Sequence, residues 1–100
     1  MSAREQWTLY ILRCADGTLY TGIARDVAKR VAQHEAGKGA RYTKGRGPFT
    51  VLLTRRCRCK GDALRLEYAI KQLKRAEKEA LTRSRRLSAF ARKLATSEVN

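Results

Sequence analysis

Between Trp7 and Ile23 the sequence reads as a β-hairpin. Trp7, Leu9 and Ile11 alternate with Thr8, Tyr10 and Leu12, and Asp16-Gly17 supplies the turn. Two turn geometries are open. A two-residue Asp-Gly turn pairs Cys14 with Leu19 and sends Tyr10 and Tyr20 to opposite faces. A three-residue loop, Ala15-Asp16-Gly17 with Gly17 left-handed, pairs Cys14 with Thr18 and Leu12 with Tyr20. The second register collects Trp7, Leu9, Ile11, Leu19 and Ile23 on one face and Tyr10, Leu12, Tyr20 and Gly22 on the other. Register follows the buried face, because a one-residue slip turns every side chain over. The three-residue loop is therefore expected.

Beyond the hairpin, Asp26 suits the start of a helix of about ten residues ending at Gly37, with Val27 and Val31 as its buried stripe. Arg30 and His34, four residues apart, are neighbours on the flank of that stripe. Gly37 to Pro48 holds four glycines and four basic residues but no acid, and is expected to be an exposed loop. Phe49 to Arg55 has the composition of a third strand. Asp62 can cap a second helix whose inner face is Ala63, Leu66, Ala69, Ile70 and Leu73. The basic, alanine-rich remainder is expected to continue helically, with Leu87, Phe90, Ala91 and Leu94 at helical spacing.

A chain of 100 residues supports one modest core. Its 23 Lys and Arg against 9 Asp and Glu give a net charge of +14, on a composition 43% hydrophobic. The excess is spread over both halves: nine basic and four acidic side chains in residues 1–50, fourteen and five in residues 51–100. The folded body itself is thus basic, and nucleic acid is the commonest partner for such a body, with acidic membrane as runner-up. The longest strictly apolar run, Leu9 to Leu12, is far short of the ~20 residues that span a membrane, and Met1 to Gln6 lacks an apolar stretch for a signal peptide. Three cysteines, Cys14, Cys57 and Cys59, fit free thiols in a reducing cytoplasm. Their spacing with His34 does not match a zinc site.

Some polar residues fall where a core prefers none. Tyr10 and Tyr20 share a face, Arg30 and His34 emerge from one side of the following helix, and Glu67 lies at the margin of the second helix's apolar stripe. Together they make a kit for phosphodiester hydrolysis. A carboxylate can hold a divalent cation, an arginine stabilises charge on phosphoryl oxygens, and a positioned tyrosine or histidine takes a proton from water. Each has a plainer reading as well: half-buried strand aromatics, a solvated arginine, a histidine bonding at a helix end, and a Glu67–Lys71 pair at i, i+4. Gly39 to Gly45 is not a phosphate-binding P-loop, for it lacks the Gly-Lys-Ser/Thr ending.

At these residues the sequence resembles the GIY-YIG nuclease superfamily, in its small single-domain YhbQ-like branch. The first motif stands as Thr8-Leu9-Tyr10 and the second as Tyr20-Thr21-Gly22. Ala24 to Arg30 follow, then His34, the loop Gly37-Lys38-Gly39-Ala40-Arg41-Tyr42-Thr43, and the helix Leu64 to Lys71 bearing Glu67. The resemblance runs from about residue 7 to residue 81. It implies an α+β fold in which helices flank a three-stranded antiparallel sheet. It also implies one divalent cation, Mg²⁺ or Mn²⁺, on Glu67, with Tyr10 and Tyr20 activating or positioning water. Arg30 is implied to stabilise the phosphate, and His34 to stand where relatives carry His or Tyr in proton transfer. Thr8, Leu9 and Thr21 depart from the motif's Gly and Ile positions. The asparagine many relatives use has no counterpart, since Asn100 is the only asparagine.

The expected organisation is a nuclease-like domain over residues 1–82 and a basic helical extension over 83–100. The expected function is metal-dependent endonucleolytic hydrolysis of DNA, in repair or processing. Phosphate and base contacts are assigned to Arg25, Lys29, Lys38, Arg41, Tyr42, Lys44, Arg46, Lys71 and Lys74, with the loop basics ordering on binding and Tyr42 stacking on a base. Two other readings stay open: a module that holds DNA or RNA without cutting, and an adaptor that docks on a larger nucleic-acid machine through its C-terminal helix.

Overall fold

The hairpin takes the three-residue register. In the computed structural model, which describes residues 6–83, β1 (Trp7–Arg13) pairs antiparallel with β2 (Leu19–Ala24), and Leu12 stands opposite Tyr20. The Cys14 N–H donates to the Thr18 carbonyl at 2.8 Å, and Gly17 has φ +86°, which a side chain rarely tolerates. Asp16 accepts from both the backbone N–H and the hydroxyl of Thr18, which closes the turn.

Strand β3 (Thr50–Cys57) joins the other edge of β1, so the sheet order is β2-β1-β3 and β1 is central. Between Ile11 and Leu12 the pairing jumps from Leu53 to Val51, leaving Leu52 as the extra residue of a bulge. Being central, β1 is covered on both faces, and Leu9, Tyr10, Ile11 and Leu12 are all buried. This explains the unbroken apolar run in a sequence of otherwise alternating pattern.

The two faces carry different cores. Leu9 and Ile11 pack with Leu66, Ile70 and Leu81, supported by Leu19, Ile23, Leu53, Cys57 and Leu73. Leu66 and Ile70 come from α2 (Lys60–Lys71) and Leu81 from α3 (Arg75–Arg83). Tyr10, Leu12 and Ala24 face Tyr20, Val27, Val31 and Phe49. That side is closed by α1 (Val27–Glu35), whose N-cap Asp26 accepts from the Lys29 N–H at 3.0 Å.

Three expectations are corrected. First, α2 starts at Lys60 with Cys59 as N-cap, earlier than an Asp62 cap would place it. Only Arg58 and Cys59 separate β3 from α2, and Asp62 sits in the first turn, where it pairs with Arg58 and Arg65 and complements the helix dipole. Second, the helix does not run on unbroken. It stops at the Gln72 C-cap and restarts as α3, where Glu77 reaches back to the Lys74 N–H at 2.8 Å. That is the reciprocal half of a capping box. The break lets Leu73 and Leu81 turn onto the Leu9 face. Third, the 37–48 loop is pinned rather than merely exposed. It contains a single 3-10 turn at Arg41–Thr43, Thr43 is fully buried, and the Arg46 carbonyl accepts from the Ala15 N–H at 2.7 Å. Leu87, Phe90, Ala91 and Leu94 lie outside the described residues, as does nearly all of the expected 83–100 extension.

Ile11→Ala is expected to lower unfolding free energy by about 2–5 kcal/mol in urea titration. Val51→Ala, on an exposed residue of β3, is expected to stay within about 0.5 kcal/mol of the parent.

Candidate active site

Tyr10 projects from the middle of β1 into the α1 side of the sheet, and only 1% of it is exposed. A buried phenol needs a partner, because an unpaired buried hydroxyl costs roughly 1–3 kcal/mol. The partner is His34, in the last turn of α1, whose Nε2 lies 2.9 Å from the Tyr10 hydroxyl. The other ring nitrogen, Nδ1, lies 2.7 Å from Thr43 Oγ1. His34 is thus as buried as Tyr10, with a partner at each ring nitrogen.

Tyr20 closes the cluster from the neighbouring strand. Its ring centroid is 6.3 Å from that of Tyr10 and 5.3 Å from that of His34, edge to face with the imidazole. The close tyrosine pair depends on Gly22, which sits opposite Tyr10 in the ladder. A Cβ there would meet the Tyr10 hydroxyl at 2.6 Å and the Tyr20 ring at 3.0 Å. Gly39 plays the same part for the imidazole, since a Cβ at that position would fall 2.1 Å from His34 Nδ1. Sequence reasoning passed over both Gly39 and Thr43. Both lie in the Gly37-Lys38-Gly39-Ala40-Arg41-Tyr42-Thr43 run that carries part of the family resemblance, but no role follows from the run itself.

Arg30, half-buried one turn before His34 on α1, donates to the Gln33 side chain at 2.9 Å. Glu67 comes from α2, with its side chain 18% exposed and one carboxylate oxygen 3.2 Å from Lys71 Nζ. Both charges bear on Tyr10. Burial, then the adjacent Tyr20, push the Tyr10 hydroxyl up to about 12; Arg30 pulls the other way and Glu67 adds to the rise. His34 is held below its ordinary value by burial and then by the Arg30 guanidinium. At neutral pH both groups are therefore uncharged. Tyr10, Tyr20, Arg30, His34 and Glu67, drawn from β1, β2, α1 and α2, thus form one constellation.

The surface residues fall into two groups. Arg25, Lys29, Lys38, Arg41 and Lys44 are exposed on or beside α1 and the loop that covers the tyrosine face. Lys71 and Lys74 are exposed at the end of α2, near Glu67. Tyr42 and Arg46 are partly exposed and also contact neighbours in the fold: Tyr42 stacks on Tyr20 at 5.9 Å, the Arg46 guanidinium lies 4.5 Å over the Tyr42 ring, and Arg46 pairs with Asp16. Among the described residues, no group of three or more His, Cys, Asp or Glu side chains could hold a metal. A lone carboxylate does not suit zinc, but it suits a hard cation that takes one or two carboxylates and fills its shell with water and phosphate oxygens. Cys57 is half-buried and Cys59 exposed, both as free thiols. Among the described residues, no helix is long and apolar enough to cross a membrane.

The family model of the GIY-YIG catalytic domain matches residues 6–80, which include every member of the constellation. The chain belongs to the GIY-YIG family. Its relatives include a UPF0213 protein of Halobacterium salinarum, 55% identical over 73% of this chain and 95% of the relative. Another, from Cronobacter sakazakii, is 49% identical over 77% and 81%. Among solved structures, the UPF0213 protein BH0048 from Bacillus halodurans matches with a TM-score of 0.51 at 47% identity, covering 76% of this chain and 81% of that one. The protein EF2693 from E. faecalis matches with a TM-score of 0.54 at 27% identity, over 81% and 88%. These comparisons agree with the small single-domain branch and the three-stranded α+β architecture. A GIY-YIG domain places the chain in a nuclease family.

Two outcomes follow from the buried pair. Gly22→Ala is expected to destabilise the fold by about 1–3 kcal/mol through overpacking, measured by chemical denaturation. The second concerns pH. A histidine whose pKa is depressed by folding binds its proton more readily in the unfolded chain, so stability falls as pH drops below about 6.5. His34 is the sole histidine. Urea midpoints should therefore decline from pH 7.5 to 5.5 in the parent and stay nearly level in His34→Gln. Asp16 and Glu79, held low by Thr18 and Arg75 respectively, contribute their own losses only below about pH 5.

Proposed function

We propose that this protein is a divalent-metal-dependent endonuclease that hydrolyses phosphodiester bonds in DNA, acting in DNA repair or processing in the cytoplasm. The observation that carries this reading is the 2.9 Å contact between the Tyr10 hydroxyl and His34 Nε2, within electrostatic reach of Arg30 and Glu67. A tyrosine with its pKa pushed up to about 12 is a poor base by itself at neutral pH. Beside a neutral imidazole it can act as a shuttle. The Tyr10 oxygen takes a proton from the attacking water while its own proton passes to His34 Nε2, so no free phenolate has to form.

The remaining side chains supply positioning and charge. Arg30 balances charge developing on the phosphoryl oxygens. Tyr20, packed edge-on to His34, would help position the water. Glu67 would hold the cation, Mg²⁺ or Mn²⁺, which when bound stabilises the leaving oxygen as a Lewis acid. The exposed Arg25, Lys29, Lys38, Arg41, Lys44, Lys71 and Lys74 would track the sugar-phosphate backbone, while Tyr42 and Arg46 brace the edge of the site. Contacts of this kind position the duplex more than they read its sequence.

Cleavage of a labelled panel of supercoiled plasmid, duplex, branched and single-stranded DNA and a short RNA tests the reading. Wild type should cut with Mg²⁺ or Mn²⁺ and not with EDTA. Glu67→Ala and Arg30→Ala should each cut at least about 10²-fold more slowly, while still binding with a salt slope of about 0.9 per phosphate neutralised. Equal cutting by wild type and Glu67→Ala would reject the mechanism. Binding without cutting would favour the non-catalytic module.

A further inference from the structure

Thr43 is the most deeply buried residue of the 37–48 loop, with no measurable exposure, yet it is polar. Its hydroxyl sits between two groups, His34 Nδ1 at 2.7 Å and the Ala40 carbonyl at 2.9 Å. A hydroxyl has one proton to give, and a carbonyl can only accept. The Thr43 proton therefore goes to Ala40, and its oxygen must accept from His34. This requires the proton of the neutral imidazole to be on Nδ1 and leaves Nε2 bare, 2.9 Å from the Tyr10 hydroxyl, which donates to it. The whole line has a single polarity: Tyr10 to His34, His34 to Thr43, Thr43 to Ala40. In water an imidazole prefers the opposite tautomer, with its proton on Nε2. The opposite tautomer here would leave Thr43 and Ala40 with two oxygens facing each other and no proton between them.

We propose that Thr43 is a positioning residue that holds His34 as the Nδ1–H tautomer, so that Nε2 stands ready to receive the proton of Tyr10. The inference rests on the reading of Tyr10 and His34 as a proton-transfer pair. When the proton arrives, His34 becomes an imidazolium with both nitrogens protonated. Nδ1–H keeps its bond to Thr43, and Tyr10 is made neutral again by the proton it takes from water. Gly39 is part of the same arrangement, because its bare backbone leaves room for Nδ1 to meet the hydroxyl. The loop thus acts on the chemistry through one hydroxyl, separately from its exposed basic residues.

A single histidine makes the tautomer directly readable. In the full-length protein with ¹⁵N-labelled imidazole at pH 8, long-range ¹H–¹⁵N spectra should show Nδ1 protonated and Nε2 bare. Thr43→Val, which keeps the shape and removes the hydroxyl, should lose at least about half of that tautomer, and Thr43→Ser should restore it. An Nε2–H signal in wild type, or an unchanged spectrum in Thr43→Val, would overturn the proposal. Should Thr43→Val fail to fold, the wild-type spectrum still decides, because the wrong tautomer there refutes the assignment outright. In cleavage assays Thr43→Val should lower kcat by about 10²-fold with KM little changed, with recovery in Thr43→Ser. A changed tautomer with undiminished cleavage would remove Thr43 from the relay. Because the spectra need neither metal nor DNA, a wild type that does not cut would sink the nuclease reading alone.

Discussion

Placing a tyrosine in the middle of the central strand, with only 1% of the residue exposed, sets a demand that other elements meet. Helix α1 must lie across the sheet at a height that brings its last turn over Tyr10, since only there does His34 reach the hydroxyl. Strand β2 must be bare opposite Tyr10, and Gly22 makes it so. The loop after α1 must fold back to satisfy the second imidazole nitrogen, which places Thr43 inside and Gly39 against the ring. A Leu at position 10 would have none of these requirements. Low local polarity makes every bond in this line matter, because a partly satisfied buried network is less stable than an apolar core.

The opposite face of the sheet is of a different kind. There Leu9, Ile11, Leu66, Ile70 and Leu81 form an ordinary apolar core that carries stability and, among the described residues, has no buried polar side chain to satisfy beyond the small Thr21. Division of labour between the two faces of one strand suits a chain of this length, whose interior is modest. Glu67 bridges the two faces. It is carried by the helix that packs on the apolar side, next in sequence to the buried Leu66, yet its charge is felt at Tyr10.

Much of this was legible in the sequence. The hairpin register followed from the alternation of Leu9 and Ile11 with Tyr10 and Leu12, and the structure places Leu12 opposite Tyr20 as that alternation demands. Asp26 marked the start of α1, and Ala63, Leu66 and Ile70 marked the inner stripe of α2. What escaped were consequences of tertiary closure. His34 looked like a flank residue because its burial depends on a loop whose glycines and lysines suggest exposure. Thr43 is flanked by exposed residues in the chain, and its interior place shows only in the bond to His34 Nδ1. The restart of α3 was signalled by Glu77 at capping distance from Lys74, but the surrounding alanines and lysines favour an unbroken helix. Grouping the five site residues needed both their order in the chain and the family's motif; side-chain chemistry alone left plainer readings for each.

The turn at residues 15–17 joins more than two strands. Its Ala15 N–H binds the Arg46 carbonyl, its Asp16 carboxylate holds the Arg46 guanidinium, and the Gly17 carbonyl accepts from Arg75 at the head of α3. Three segments far apart in the chain are fastened at this one corner, on the far end of the hairpin from the first residue of β1. Arg46 also rests on Tyr42, and the 3-10 turn that contains Tyr42 contains Thr43 as well. The corner therefore works as a clasp for the imidazole's support. Asp16 and Arg46 thereby bear on His34 from outside its ring cluster.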